Sequence, residues 1–205
     1  MSRTALLAVL VATAVSARAA DEPTPFEITP IGGYRIGGSF DVEASDASYD
    51  LDEASATGLI LNLRDDINTQ WELLWSRQDT VAVLQSAAVL PPRVDIDIET
   101  LQIGGTYQGD GDRLRPYLAA TLGATRIETA RDADTFLSGS IGVGLQLLPN
   151  SRIGLRVEAR AHGALVDADT DLFCETGPSA NLCAIRIEGD LLGQFEAFAG
   201  LVLRF

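Results

Sequence analysis

Ion pairing, acid–base catalysis and metal binding all need Arg, His, Asp, Glu or Cys brought together. In this chain such residues fall into two sets. The first alternates with aliphatic residues in RIGLRVEARAHG (152–163), where Arg156, Glu158, Arg160 and His162 stand between Leu155, Val157, Ala159 and Ala161. Arg152 opens the same run, and Arg35, Arg64, Glu72, Arg115, Glu196 and Arg204 hold the same kind of position in other segments. Two chemistries suit this set. Unpaired along a passage, the arginines would favour anions. Paired with the glutamates, they would form an ion-pair network filling an interior, because charges removed from water are costly alone. The pairing reading is preferred, with His162, the only histidine, as a member of the network.

The second set lies in DADTDLFCETGPSANLC (167–183). Asp167, Asp169 and Asp171 are spaced like the start of a calcium loop. The sixth position, however, is Leu172 rather than Gly, and the twelfth is Pro178 rather than an acid. A solvated acidic loop is expected there, with no metal and no cofactor. Cys174 and Cys183 lie close in sequence, and in an oxidising compartment they are expected to form a disulfide. Closing so short a loop would contribute about 2–3 kcal/mol in the chain-entropy picture.

The elements that position the first set read as strands. A period of two places successive side chains on opposite faces. It recurs in about eight segments: 26–40, 57–64, 69–78, 94–108, 114–127, 135–148, 152–163 and 193–205. In the third, Trp71, Leu73 and Trp75 oppose Gln70, Glu72 and Ser76; in the last, Phe195, Ala197, Ala199, Leu201, Leu203 and Phe205 oppose Gln194, Glu196 and Arg204. Three connections are tight (65–68, 109–112 and 149–151) and four are longer (41–56, 79–93, 128–134 and 167–186). Acids gather in the long ones, with Asp41, Glu43, Asp46, Asp50, Asp52 and Glu53 in the first.

The N-terminus indicates export. Arg3 precedes the apolar run 6–15, and Ala17-Arg18-Ala19 is a small-x-small cleavage site, so residues 1–19 read as a signal peptide and 20–205 as one barrel domain. All 15 basic residues are arginine, against 29 acids. Without Arg3 and Arg18 the mature chain has 13 arginines and a net charge near −16. Such a chain is a poor nucleic-acid binder, because that affinity rests on basic side chains neutralising phosphates.

No long apolar run follows the signal, so a membrane-embedded chain would cross as strands of about ten residues. Alternating short and long connections are those of an up-and-down barrel with two unlike rims. A soluble barrel would turn the aliphatic faces inward. Against it, Trp71, Tyr107 and Phe205 sit on the apolar face near the short-turn ends, as an interfacial girdle does, with Trp75 on the same face. The aliphatic face is therefore assigned to lipid and the arginines to the lumen. A charge at the bilayer midplane would cost roughly 2–4 kcal/mol.

The segments FEITPIGGYRIGGSF, RLRPYLAATLGATR, RIGLRVEARAHG and the terminal GLVLRF together resemble the small outer-membrane β-barrel proteins of Gram-negative bacteria, the OmpA/OmpX/OmpW-like eight-stranded barrels. The resemblance covers essentially the whole mature chain and implies an outer-membrane location with both termini periplasmic. It implies that Phe205 ends a strand read by the barrel assembly machinery. It implies contact with membrane lipid and lipopolysaccharide; from loop charge alone, divalent ions are a candidate bridge between the acidic loops and anionic lipopolysaccharide. Two enzyme types of this fold use a histidine with a serine and an acid, but a deacylase-like His-x-Ser would need serine where Ala164 stands. The expected role is structural or surface-interacting, as a monomer and not an enzyme. The alternative is a narrow channel or an OmpW-like transporter of small solutes.

Overall fold

The computed structural model describes residues 26–41, 48–84, 93–129, 133–166, 174–177, 180–183 and 190–205. The expected signal peptide, Asp167, Asp169, Asp171, Glu43 and Asp46 lie outside these. All the regular elements of the described chain are strands. Its elements are β1 (Phe26–Ile36), β2 (Ser39–Asp41), β3 (Ser48–Leu51), β4 (Ala54–Arg64), β5 (Thr69–Leu84), β6 (Arg93–Gln108), β7 (Leu114–Thr129), β8 (Ala133–Leu147), β9 (Ile153–Val166), β10 (Cys174–Gly177), β11 (Ala180–Cys183) and β12 (Asp190–Arg204).

Eight of them form a closed antiparallel wall in the order β1, β4, β5, β6, β7, β8, β9, β12 and back to β1. Cross-strand partners trace a circuit: Phe26 to Leu63, Trp71, Gly105, Ala120, Ile141, Ala161, Phe195 and finally Ile36. The circuit returns to β1 ten residues beyond its start, which is the shear of the barrel. With strand spacing and rise at their usual values, that shear on eight strands implies a tilt of about 40° and a backbone radius of about 8 Å. Side chains alone can fill such a bore.

The two faces are sorted as the dyad pattern requires. Leu122 and Ile141 point outward and are 69% and 68% exposed, whereas Arg35 and Arg156 point inward and are each 1% exposed. The bore also holds an apolar cluster of Ile31, Ile60, Leu74 and Phe198.

At the long-loop end β5 runs well beyond its expected bound, to Leu84, while β6, β7 and β8 fall within two residues of theirs. β5 and β6 leave only 85–92 between them, and β7 and β8 only 130–132. The cause is an inversion of the pattern. On β6, Leu101 and Ile103 face out and Thr100 and Gln102 face in, but nearer the loop Ile96 and Ile98 are buried inward and Glu99 faces out. On β7, Ile127 is buried while Arg126 and Glu128 face out. With buried Ala82, Phe136, Ala164 and Leu192, these residues give the loop end of the bore an apolar layer. Arg77 on β5 binds Asp79 and Asp97 on the outer surface, so these strand ends stand clear of the apolar belt.

The expected Cys174–Cys183 disulfide is corrected: among the described residues there is no disulfide bond. The two residues are the end partners of the β10–β11 hairpin, which pairs Cys174 with Cys183, Glu175 with Leu182, Thr176 with Asn181 and Gly177 with Ala180. Backbone hydrogen bonds along this ladder close the short loop, so closure needs no covalent bond.

Candidate functional site

The centre of the bore is a square of two arginines and two glutamates. Arg156, Glu158 and Arg160 alternate along one face of β9, and Glu72 reaches them from β5. Three strands separate β5 from β9 in either direction round the wall, so the square spans the bore. Each carboxylate bridges both guanidiniums. Glu72 accepts from Arg156 Nη2 at 2.8 Å and from Arg160 Nη2 at 2.6 Å. Glu158 Oε2 accepts from Arg156 Nη2 at 2.6 Å, and Glu158 Oε1 accepts from Arg160 Nε. All four side chains are at most 1% exposed. The square is electroneutral, as charges with no access to water must be.

Neutral groups satisfy its remaining valences. The Tyr117 hydroxyl donates to Glu158 at 2.6 Å and accepts from Arg156 Nε at 2.7 Å, and its ring lies 4.5 Å from the Arg156 guanidinium. Asn62 accepts from Arg156 and donates to Glu72. Arg160 Nη1 donates to Ser140, which with Thr121 is bonded to Gln102. Two glycines of β8 make room. A methyl group at Gly144 would overlap the Tyr117 hydroxyl, and one at Gly142 the Glu158 carboxylate. The cluster of Ile31, Ile60, Leu74 and Phe198 occupies the same bore, with Arg160 5.9 Å from the Phe198 ring.

Two smaller groups flank the square. Toward the loops, Glu196 accepts from Arg35 at 2.6 Å and bonds His162 Nε2 at 2.9 Å, while Arg35 also donates to Ser76. His162 Nδ1 has no partner, and Ser140, its cross-strand neighbour on β8, is bonded to Gln102 and Thr121 instead. Among the described residues, no Ser-His-acid relay is assembled around it. Toward the short turns, Arg204 donates to Glu27 at 2.8 Å and to the carbonyls of Leu148 and Ser151.

Among the residues expected in the lumen, Arg64 and Arg115 stand apart. Arg115 donates only to the amides of Gln108 and Asn150, and Arg64 has no ion pair among the described residues. Arg152 is exposed in the turn before β9. Trp71, Tyr107 and Phe205 are exposed on the outer face near the short-turn end. Trp75 also faces out, and its indole donates to Glu99 where surface charge begins.

Sequence reasoning put Asn62, Tyr117 and Gln102 on the polar face but left them out of the network, and it passed over Glu27 and the four inward apolar residues. Strand parity is the signal that could have found Glu27, which shares a face with Arg35 on β1. Among the described residues, no group of three or more His, Cys, Asp or Glu could hold a metal ion.

No protein-family model matches the chain, and no curated protein matches it in sequence. Solved structures do resemble it. Neisserial surface protein A superposes with a TM-score of 0.59 at 12% identity, over 88% of this chain and 97% of that one. The outer membrane protein OprG from Pseudomonas aeruginosa gives 0.56 at 13% identity, over 89% and 97%. The outer membrane protein AlkL, solved in lipid bilayers, gives 0.51 at 12% identity, over 95% and 97%. At such identities the likeness is one of fold. The chain is an eight-stranded antiparallel β-barrel, with an internal Arg/Glu salt-bridge network, that resembles the known outer-membrane barrel proteins of Gram-negative bacteria.

Proposed function

We propose that this chain is an integral outer-membrane barrel with a structural or surface-interacting role, and that its lumen is closed. The observation that carries the reading is the Arg156–Glu72–Arg160–Glu158 square, which joins opposite walls of a bore only wide enough for side chains. The apolar layer of Ile96, Ile98, Ile127, Phe136 and Leu192 supports a second closure toward the loops. The location is supported by the fold likeness and by the outward belt of Leu101, Ile103, Leu118, Leu122, Leu137, Ile141 and Val143. Leaving such side chains in water would cost about 1.5–3 kcal/mol each.

In this reading Trp71, Trp75 and Tyr107 anchor the belt at its interfaces, and lipid and lipopolysaccharide surround it. Phe205 closes the last strand as an assembly signal, its amide donating to the Phe26 carbonyl at 3.0 Å. Residues 1–19 would be removed on export. N-terminal sequencing of membrane-extracted protein should begin at Ala20.

The test is solute and ion flux through the purified protein in lipid vesicles, beside an Arg156→Ala/Arg160→Ala variant. The reading expects no flux in the unmodified protein and flux in the variant. Steady anion-preferring conductance in the unmodified protein, reduced by the substitutions, would make the charged face the lining of a working pore and refute closure.

A further inference from the structure

We propose that the short-turn mouth of the lumen is an oxyanion site built on Arg64 and Arg115, taking a phosphate-type group from the periplasmic side. Charge balance inside the bore leads there. Below the apolar layer, the inward charged side chains are Arg35, Arg64, Arg115, Arg156, Arg160 and Arg204 against Glu27, Glu72, Glu158 and Glu196. Every glutamate is engaged: Glu72 and Glu158 in the square, Glu196 with Arg35 and His162, Glu27 with Arg204. The surplus is two positive charges, and the two arginines without a carboxylate are Arg64 and Arg115.

Both lie at one end. Arg64 closes β4 and Arg115 opens β7, at the mouth where Arg204 closes β12. Both are partly buried, and the Nε of each is shielded from solvent with no hydrogen-bond partner. A guanidinium so placed keeps unmet donors in a planar fork that matches the oxygens of a phosphate. Gln108 and Asn150 hold Arg115 at 3.3 Å each without spending its charge.

Carboxylates oppose the anion from two directions. Glu27 shares the mouth but is neutralised by Arg204 at 2.8 Å. Asp65, Asp66, Asp110 and Asp112 occupy the adjoining turns. Their repulsion is screened by salt over about 8–10 Å near physiological ionic strength, whereas direct guanidinium hydrogen bonds are not. The site lies below the square, so it holds whether or not the lumen conducts.

The test is solution NMR of the full-length protein in phosphatidylcholine nanodiscs, following the arginine Nε–H resonances. Inorganic phosphate is titrated against chloride at constant ionic strength. Saturable shifts at Arg64 and Arg115 are expected, with binding about tenfold weaker in Arg64→Gln and in Arg115→Gln. Glu27→Gln should tighten binding, because it removes the mouth's carboxylate and frees Arg204. A second arm replaces free phosphate with phosphatidylglycerol in the disc. Shifts in that arm alone would assign the phosphate to a lipid headgroup, and shifts in the first alone to a free anion. Non-saturating shifts in both arms, or saturable binding unchanged in both arginine variants, would overturn the site. Preserved spectra of the outward wall residues establish that each variant is folded.

Discussion

Replacing Glu72 with glutamine tests whether the lumen network is a dry, mutually dependent unit. Glu72 accepts from Arg156, Arg160 and Asn62 at 2.8, 2.6 and 3.2 Å and is fully buried. Without its charge, two guanidiniums share one carboxylate in a space closed to water. Removing one partner of a buried pair costs about 3–5 kcal/mol. The glutamine carbonyl can still accept one hydrogen bond, returning about 1 kcal/mol. The expected loss is therefore about 2–4 kcal/mol. Urea unfolding in phospholipid vesicles, read by the fluorescence of Trp71 and Trp75, measures it as a lowered midpoint at unchanged slope. Adding Arg160→Met to Glu72→Gln removes the surplus charge and should recover part of the loss. A Glu72→Gln protein within about 0.5 kcal/mol of the original would refute the reasoning, since charges that weakly coupled must be hydrated. It would also remove the main support for a closed lumen.

Other outcomes follow from particular contacts. Gly144→Ala should destabilise by about 1–3 kcal/mol by displacing Tyr117 from Glu158, while Ala159→Gly on the outer wall should cost less; the same unfolding assay decides. Leu122→Arg should cost about 2–4 kcal/mol in vesicles if its face meets hydrocarbon, and little if it meets water. At the outer edge, partial burial and the facing Asp79 carboxyl raise the Asp97 pKa, while the Arg77 hydrogen bond lowers that of Asp79. A carboxyl titration by NMR should therefore protonate Asp97 before Asp79 as pH falls. By linkage, the Asp79 contribution is present above its unfolded pKa and lost as pH falls through its folded value. The unfavourable Asp97 contribution instead disappears as pH falls. Asp97→Asn should then leave neutral-pH stability unchanged or raised, and a clear loss would contradict the assignment.

Strand parity made much of this molecule legible before any coordinate was known. A side chain's face depends on its odd or even place in the strand, so Arg35, Glu72, Arg156, Glu158, Arg160, Glu196 and Arg204 could be put on one face from local pattern alone. The same local reasoning stopped at the loop end, where apolar residues change faces between Leu101 and Ile98. A single alternating rule, which puts 94–108 in one strand, leaves the isoleucines of VDIDIET out of step with Leu101 and Ile103, because it assumes one solvent outside the whole strand. The strand in fact leaves the apolar belt and becomes an ordinary barrel wall, charged outside and apolar inside. The cysteine reading failed for a related reason. Nearness in sequence supplies opportunity, but a disulfide also needs a specific side-chain geometry that spacing alone does not give.

Partnership was a tertiary matter. Nothing near Glu72 in sequence points to Arg156 or Arg160, which lie across the bore. They meet because eight registers add to a shear of ten residues, bringing β5 and β9 face to face at matching heights. A slip of two residues in any one register would keep every side chain on its face and still break the square. The sequence by itself therefore determined strand, face and the barrel class. Only the closed structure decided which charges cancel, that Arg64 and Arg115 are left over, and that Tyr117 and two glycines complete the centre. Face is a property of a residue and its strand neighbours, whereas charge compensation is a property of the whole circuit.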